Sequence, residues 1–132
     1  MELSAAAAAP NTGARARVDR ERGLLVGSRC PGCGATSWPS RSVCHRCGEP
    51  MAFDAPLERE GALLSFATVH VPRPGLPAPY TLGQVAIDDV ILFAHVRRLG
   101  AGARVPLAVA VVVPPQREGP LDFWFEPLDP AA

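Results

Sequence analysis

All four cysteines of this chain lie within residues 30–47, and this short stretch constrains the fold more than any other feature. They form two Cys-x-x-Cys-Gly knuckles, CPGCG and CHRCG, with ten residues between Cys33 and Cys44. Two residues between thiols let both sulfurs of a knuckle face one ion, and the glycine after each second cysteine permits a left-handed turn. Ten residues are enough to turn the chain back and place the second knuckle opposite the first.

The spacing predicts one closed tetrahedral site of four thiolates, which suits Zn²⁺, with ligands Cys30, Cys33, Cys44 and Cys47. Iron is the main rival metal, and a redox dithiol is a weaker alternative because one shared metal explains two knuckles better. A closed shell leaves no open position for water, so the metal would be structural. A module of about 25 residues cannot fold alone, and metal binding supplies the missing free energy. His45 is expected to be a loop side chain, since four thiolates already fill the shell.

Beyond the knuckles, the sequence has the pattern of short strands joined by turns. The high content of proline (15 residues) and glycine (12 residues) favours many short elements. Residues 54–61 are interpreted as a connector that ends in a turn at Gly61, and Asp88–Asp89 is interpreted as a hairpin turn. The pattern predicts a small barrel or sandwich whose five strands are at 62–71, 80–87, 90–97, 104–113 and 121–127.

Charge and hydropathy exclude several classes of function. The 13 basic residues, all of them arginine, balance 13 acidic residues, which gives no basic surface for a nucleic acid. No apolar run reaches the roughly 18 residues of a membrane span, and the first ten residues do not resemble a secretory signal. We therefore expect a cytoplasmic protein. The expected organisation is a disordered tail (1–17), a lead-in and ribbon (18–53), a barrel (54–127) and a C-terminal tail (128–132).

The residues offer no catalytic set. All four thiols are assigned to the metal, and His70 and His95 lie in predicted strands without a nucleophile motif beside them. The chain has no GxSxG, P-loop or GxGxxG sequence. The aromatic cluster Phe123, Trp124 and Phe125 is interpreted as core or interface packing. On its residues alone, the protein is not a self-sufficient enzyme.

The order of these motifs resembles a known family of zinc-ribbon/OB-fold proteins that accompany acyl-CoA enzymes, long catalogued as a domain of unknown function. The resemblance covers about residues 22–127 and begins with GLLVGSRC, CPGCG, WPSR and CHRCG. It continues with GALLSFATVHV, a proline-rich loop, PYTLGQVAIDD, GARV and the ending FEP. Two departures are the DDV turn, where the family often has Asp-x-Gly, and a shortened segment between the third and fourth barrel strands.

The resemblance implies a mainly β protein, with an N-terminal rubredoxin-like zinc ribbon followed by a five-stranded OB-fold barrel. It implies a non-catalytic accessory subunit that binds a thiolase-superfamily partner (an acyltransferase, thiolase or retro-aldolase) and helps present the CoA-linked substrate. Arginines near the barrel mouth would then hold the CoA phosphates. The candidate CoA residues are Arg73, Tyr80, Arg97 and Arg98. The candidate partner-interface residues are Phe123, Trp124 and Phe125.

Two other functions are open at this stage. Zinc ribbons and OB-folds both bind nucleic acids elsewhere, although the balanced charge and the lack of lysine argue against that here. A small iron-containing redox carrier is the other alternative. A salt-dependent mobility shift with single-stranded nucleic acid would favour the first, and a coloured iron protein would favour the second.

Overall fold

A computed structural model describes residues 17–129, and all of the regular secondary structure in this range is β. The tails expected at both ends fall outside this range, apart from residues 17, 128 and 129. No helix in the described part is long and apolar enough to cross a membrane. The strands are β1 (Val18–Asp19), β2 (Leu24–Arg29), β3 (Thr36–Ser37), β4 (Ala52–Pro56), β5 (Glu60–Val69), β6 (Tyr80–Ile87), β7 (Val90–Val96), β8 (Leu107–Val112) and β9 (Trp124–Pro127).

The N-terminal sheet is built on β2, which pairs antiparallel with β1, β3 and β4. The connector expected over residues 54–61 is wrong, because β4 pairs with β2 up to Pro56 and β5 already begins at Glu60. Gly61 does not form a turn but lies in β5, where it pairs with Val109. The expected boundary between residues 53 and 54 therefore falls inside β4, and the division into two domains stays a prediction.

The remaining strands form a closed barrel in the order β5-β6-β7-β9-β8. Neighbouring strands are antiparallel except for β7 and β9, which are parallel. This order, with its single parallel pair, is the order of the OB-fold. All five barrel strands were predicted from the sequence, and the predicted fold class is confirmed.

The barrel core follows the alternation of side chains along β6 and β7. Val85, Ile87, Leu92 and Val96 point inward and are buried, and Phe125 of β9 is completely buried against them. Leu25 of β2 and Leu57, which follows β4, belong to the same buried cluster. The ribbon sheet and the barrel therefore share one hydrophobic core, which fixes the position of the metal site relative to the barrel. The shared cluster is Leu25, Leu57, Leu63, Val85, Ile87, Val90, Leu92, Ala94, Val96, Val109, Val111 and Phe125.

Candidate functional site

The four cysteine sulfurs form one compact cluster. All four Sγ atoms lie within 4.8 Å of one another, with 3.5 Å between Cys30 and Cys47 and 3.6 Å between Cys33 and Cys44. Thiolates at about 2.3 Å from a tetrahedral Zn²⁺ would be about 3.8 Å apart, so the cluster has the size that zinc requires. Cys30 and Cys44 are buried, whereas Cys33 and Cys47 are exposed. His45 is exposed and lies outside the cluster.

The two knuckles have the same backbone hydrogen bonds. The Gly34 N–H donates to the carbonyl of Cys30 at 2.9 Å, and the Gly48 N–H donates to that of Cys44 at 3.0 Å. Both glycines have φ near +80°, a region that L side chains rarely adopt, which explains a glycine after each second cysteine. The N–H of Arg46 points at the Cys44 sulfur at 3.3 Å. Such N–H···S contacts favour thiolates, as a metal site needs.

The pKa values of Cys44 and Cys47 are shifted in opposite directions. Backbone N–H groups of Cys47 and Arg46 outweigh burial and lower the pKa of Cys44 to about 6. The N–H of Glu49 also favours the Cys47 thiolate, but the neighbouring thiols and burial prevail and raise its pKa to about 12. Four adjacent thiolates repel one another unless a cation lies between them, and a divalent metal supplies that charge. The donor set therefore fits a structural Zn²⁺ site held by Cys30, Cys33, Cys44 and Cys47.

The ribbon is fastened to the barrel through the turn between β6 and β7. The Asp89 carboxylate accepts a hydrogen bond from the N–H of Thr36 at 2.9 Å, and the Asp88 carboxylate accepts one from Glu58 at 3.0 Å. Asp88 has a left-handed φ of 53°, which Asp tolerates better than most residues. The DDV turn that departs from the family pattern thus has a structural role, because both of its carboxylates bind backbone of the ribbon segment or of the segment leading from it to the barrel.

A second contact between ribbon and barrel is aromatic. Trp38, which follows β3, packs edge-to-face on Phe123 with ring centroids 5.3 Å apart, and Phe123 packs in the same way on Phe125. The indole N–H of Trp38 donates to the carbonyl of Arg17 at 3.1 Å. Trp38 and Phe123 line a cavity on the barrel surface. The sequence pointed to Trp38 only as part of the WPSR motif, which gave no sign of this role.

Two adjoining cavities lie beside β7. The larger, of about 550 Å³, is lined by Trp38, Arg73 and Phe93 among others, and the smaller, of about 310 Å³, by Tyr80, Arg97 and Arg98. The structure thus brings all four candidate CoA residues to one end of the barrel, although they come from three different segments. The two cavities share three lining residues, Leu76, His95 and Leu121.

Two tight turns frame these cavities, residues 73–76 and 118–121, each closed by reciprocal backbone hydrogen bonds. Gly75 and Gly119 both have positive φ and face each other so closely that a Cβ on Gly119 would lie 2.8 Å from the Gly75 carbonyl oxygen. Leu76 and Leu121 pack with Trp124 in a small buried cluster beneath the turns. The proline-rich loop is therefore held against the barrel.

The three candidate arginines differ in how strongly they are already paired with other residues of the protein. Arg97 stacks over Trp124 at 3.8 Å and pairs with Glu118 at 3.0 Å. Arg98 is exposed and has a weaker pairing with Glu126 at 3.6 Å. Arg73 has no carboxylate within ion-pair distance among residues 17–129. It is therefore the most available cation at the cavities.

His95 lies between these cations. Burial, with Arg97 and Arg73 nearby, lowers the pKa of His95, so the neutral imidazole is favoured. Its ring lies 5.4 Å from that of Tyr80. The sequence placed His95 in a strand and assigned it no role, and the structure places it where the two cavities meet.

The aromatic residues 123–125, at the start of β9 and just before it, are largely buried. Phe125 is completely buried, Trp124 is 5% exposed and Phe123 is half-buried. Trp124 also donates its indole N–H to Glu126 at 2.9 Å. The reason is the alternation of β9, whose residues close the barrel and cover the cluster under the turns. A partner-interface role for these three residues stays a prediction, and Trp124 and Phe125 can influence a partner only through the fold.

Comparisons with known proteins agree with this geometry. Residues 19–54 match the family described as "ChsH2, rubredoxin-like zinc ribbon domain". A "DUF35 domain-containing scaffold protein" of Methanocaldococcus jannaschii is 30% identical over 73 residues, which are 53% of this chain and 52% of that protein. The match thus spans about half of the relative's length.

Two solved structures share the fold of most of this chain. The structure called "Ltp2-ChsH2(DUF35) aldolase" superposes with a TM-score of 0.67 at 19% identity, covering 83% of this chain and 89% of that one. A Sulfolobus solfataricus protein of unknown function from the DUF35 family superposes with a TM-score of 0.57 at 13% identity, covering 82% and 78%. At such identities the likeness establishes the fold alone.

Proposed function

We propose, from the match of residues 19–54 to the ChsH2 rubredoxin-like zinc ribbon domain, that the protein is a non-catalytic accessory subunit of an acyl-CoA-processing complex. Its partner would be a thiolase-superfamily acyltransferase, thiolase or retro-aldolase. The complex would make or break a carbon–carbon bond of a CoA-linked substrate. We place it in the cytoplasm, where thiols stay reduced.

One observation carries the proposal: the chain combines arginine-lined cavities with a complete lack of free thiols. All four cysteines lie in the sulfur cluster, and a closed four-thiolate site offers no open position for chemistry. The cavities contain groups that bind ligands, namely Arg73, Arg98, Tyr80 and His95. In our proposal the chain holds the substrate, and another subunit carries out the reaction.

The comparisons support this role, but they do not identify a substrate. The M. jannaschii relative is called a scaffold protein, and the structural neighbour comes from an aldolase complex that contains ChsH2. In our proposal the partner supplies the reacting groups, and part of the CoA moiety occupies the smaller cavity beside β7 and contacts Arg73 at the larger one. Arg73 and Arg98 would contact phosphates, because their guanidinium groups are the most exposed ones at the cavities.

Association is tested by co-expressing the chain with thiolase-superfamily proteins from the same organism. We expect the chain and its partner to elute together in gel filtration and to retain zinc. Binding of acyl-CoA to the purified complex is then measured for wild type, Arg73→Ala and Arg104→Ala. Arg104 is an exposed arginine that lines neither cavity, so it controls for loss of charge. Equal loss of CoA affinity in both variants, or none in Arg73→Ala, would remove Arg73 from the proposed site.

A further inference from the structure

Strand β7 has an open edge along most of its length, even though the barrel is closed. On one side β7 pairs with β6 without a break, from Val90 opposite Ile87 to Val96 opposite Thr81. On the other side its only register pair with β9 is Val96 with Phe125, supported by a hydrogen bond from the Arg97 N–H to the Phe125 carbonyl at 2.9 Å. The barrel is therefore closed at one end of β7 and open along the rest.

The register identifies the backbone groups at this open edge. In a two-residue hairpin the closing pair exchanges both hydrogen bonds, so Val90, Leu92 and Ala94 bond to β6. The N–H and C=O groups of Ile91 and Phe93 then point to the opposite edge. Within residues 17–129 these groups have no hydrogen-bond partner in the protein.

The side chains at this edge do not protect it against pairing. Ile91 is 62% exposed and Phe93 is 74% exposed, which makes them two of the most exposed large apolar residues of the described chain. Their neighbours on the outer face of β6 are Ala86 and Gln84, which carry no charge. Natural sheets usually block a free edge with lysine, proline or an inward charge, and none of these occurs between Val90 and His95.

A cavity runs alongside the open edge. Phe93, Ala94 and His95 of β7 line it, together with the rings of Trp38 and Phe123, and its volume is about 550 Å³. The charged residues Arg73 and Asp122 also belong to its lining. This volume lies in the range of pockets that enclose a small ligand or a few peptide residues. Unpaired backbone groups and a neighbouring pocket for alternate side chains are the two features by which a sheet edge binds an extended peptide.

We propose that an extended, uncharged segment of the partner subunit adds to the open edge of β7 as a further strand and places apolar side chains between Phe93 and Trp38. This inference rests on the proposed function and identifies the surface through which the two subunits meet. Backbone hydrogen bonds to Ile91 and Phe93 would supply affinity, and the aromatic cavity would select β-branched or aromatic side chains.

Two other occupants fit the edge less well. A second copy would bring its own ribbon, which is bonded beside the Asp89 end of β7, against the ribbon that carries Trp38, and the two ribbons would hinder a stable interface of roughly 1,200–2,000 Å². The segment of this chain before residue 17 is rich in alanine, which has low β-propensity and gives the aromatic cavity little to pack against.

The test is amide hydrogen exchange on the zinc-loaded chain, alone and in its complex with the co-expressed thiolase-superfamily protein. We expect the amides of Ile91 and Phe93 to exchange quickly in the isolated chain and at least about tenfold more slowly in the complex. A complex that forms without slowing these two amides would overturn the edge proposal and leave the proposed function standing. Failure to form any complex would overturn both.

Two double variants distinguish the contribution of the backbone donors to binding from that of the side chains. The double variant Ile91→Pro/Phe93→Pro removes the two free donors without removing a bond to β6, and proline is tolerated at such edge positions. Its control, Ile91→Thr/Phe93→Thr, keeps both donors. We expect the proline pair to weaken the complex at least about tenfold more than the threonine pair, with unchanged zinc content.

Equal affinities for the two pairs would overturn the proposal. It would also be overturned if the two amides were already protected in the isolated monomer, which would point to the chain's own N-terminal segment. Protection that appears with concentration-dependent dimerisation of the chain alone would identify a second copy as the occupant.

Discussion

The Asp89 carboxylate accepts a hydrogen bond from the backbone N–H of Thr36 at 2.9 Å, and this contact joins the barrel hairpin to the zinc ribbon. Thr36 is buried, so its N–H has little access to water as a replacement acceptor. The contact comes from the end of the β6–β7 hairpin opposite to the cavities. The ribbon is thereby held so that Trp38, two residues further on, forms a cavity wall.

Replacing Asp89 should therefore loosen the ribbon from the barrel. We expect Asp89→Ala to lower the free energy of unfolding by about 1–3 kcal/mol, because it leaves a buried backbone donor without an acceptor. Asp89→Asn retains an acceptor oxygen and should cost much less. Urea unfolding of the zinc-loaded proteins measures both. Equal stabilities of Asp89→Ala and wild type would mean that the contact does not fasten the ribbon.

Loss of any one of the four cysteines should release the metal. Cys→Ser at position 30, 33, 44 or 47 is expected to abolish stoichiometric zinc binding and to unfold the ribbon, since metal binding supplies the folding free energy of such modules. Metal analysis of the purified variants gives the zinc content. Near-stoichiometric zinc in a Cys30→Ser/Cys44→Ser double variant would contradict the four-thiolate site.

Gly83 should tolerate no side chain. A Cβ at this position would lie 2.5 Å from Cδ1 of Leu63 and 2.9 Å from the carbonyl oxygen of Ser65, so Gly83→Ala overpacks the barrel interior. We expect a loss of about 1–3 kcal/mol in unfolding free energy. Gly102→Ala is the matched control, because nothing lies within 4 Å of a Cβ there. Thermal unfolding of the two variants measures the difference. If the unfolding midpoint of Gly83→Ala were similar to that of Gly102→Ala, the packing described for β6 would be contradicted.

Trp124→Ala should act on stability before it acts on any partner. The side chain is 5% exposed, lies under the two turns and carries the guanidinium of Arg97 on its ring. Truncating a buried tryptophan commonly costs about 3–5 kcal/mol. Zinc content should be unchanged, because the ribbon cluster is separate from the cluster that contains Trp124. The control is Phe53→Ala, at a 44% exposed position of β4, which should unfold close to wild type. If Trp124→Ala unfolded at the same denaturant concentration as wild type, the buried role assigned to Trp124 would be contradicted.

His95 should make stability depend on pH. Because its pKa is lowered in the folded protein, the unfolded chain binds the proton more readily, and folding loses stability as pH falls through the unfolded pKa of about 6.5. The contribution is fully present above that value. His95→Gln should flatten the pH dependence between about pH 7 and pH 5 relative to wild type, when both are measured by urea unfolding. Parallel curves for the two proteins would show that His95 does not titrate as described.

The sequence predicts the barrel well because each of its strands is bounded by proline, glycine or a short turn. It predicts the metal site because the ligand spacing is local. The sequence prediction fails where pairing between distant strands decides the structure. Strand β4 is an example: its residues are mostly exposed and show no clear alternation, and the strand forms because it pairs with β2. The role of Trp38 could not be predicted for the same reason, because its contact with Phe123 joins residues far apart in the chain.

One signal for the open edge was present in the sequence. Strand β7 is apolar on both faces, with Leu92 and Ala94 turned inward and Ile91 and Phe93 turned outward. Antiparallel strands with one solvated face usually alternate apolar and polar residues. A second apolar face therefore indicates a covered surface, but it does not say which end of the strand lacks a neighbour. That depends on where β9 joins the barrel.

The accessory role is the central claim, and acyl-CoA turnover by three samples tests it most directly: the chain alone, the thiolase-superfamily partner alone, and the co-purified complex, each assayed at equal concentration. We predict no turnover by the chain alone and full turnover only by the complex. Turnover of acyl-CoA by the purified chain itself, or a partner that is correctly assembled and fully active without the chain, would contradict the claim.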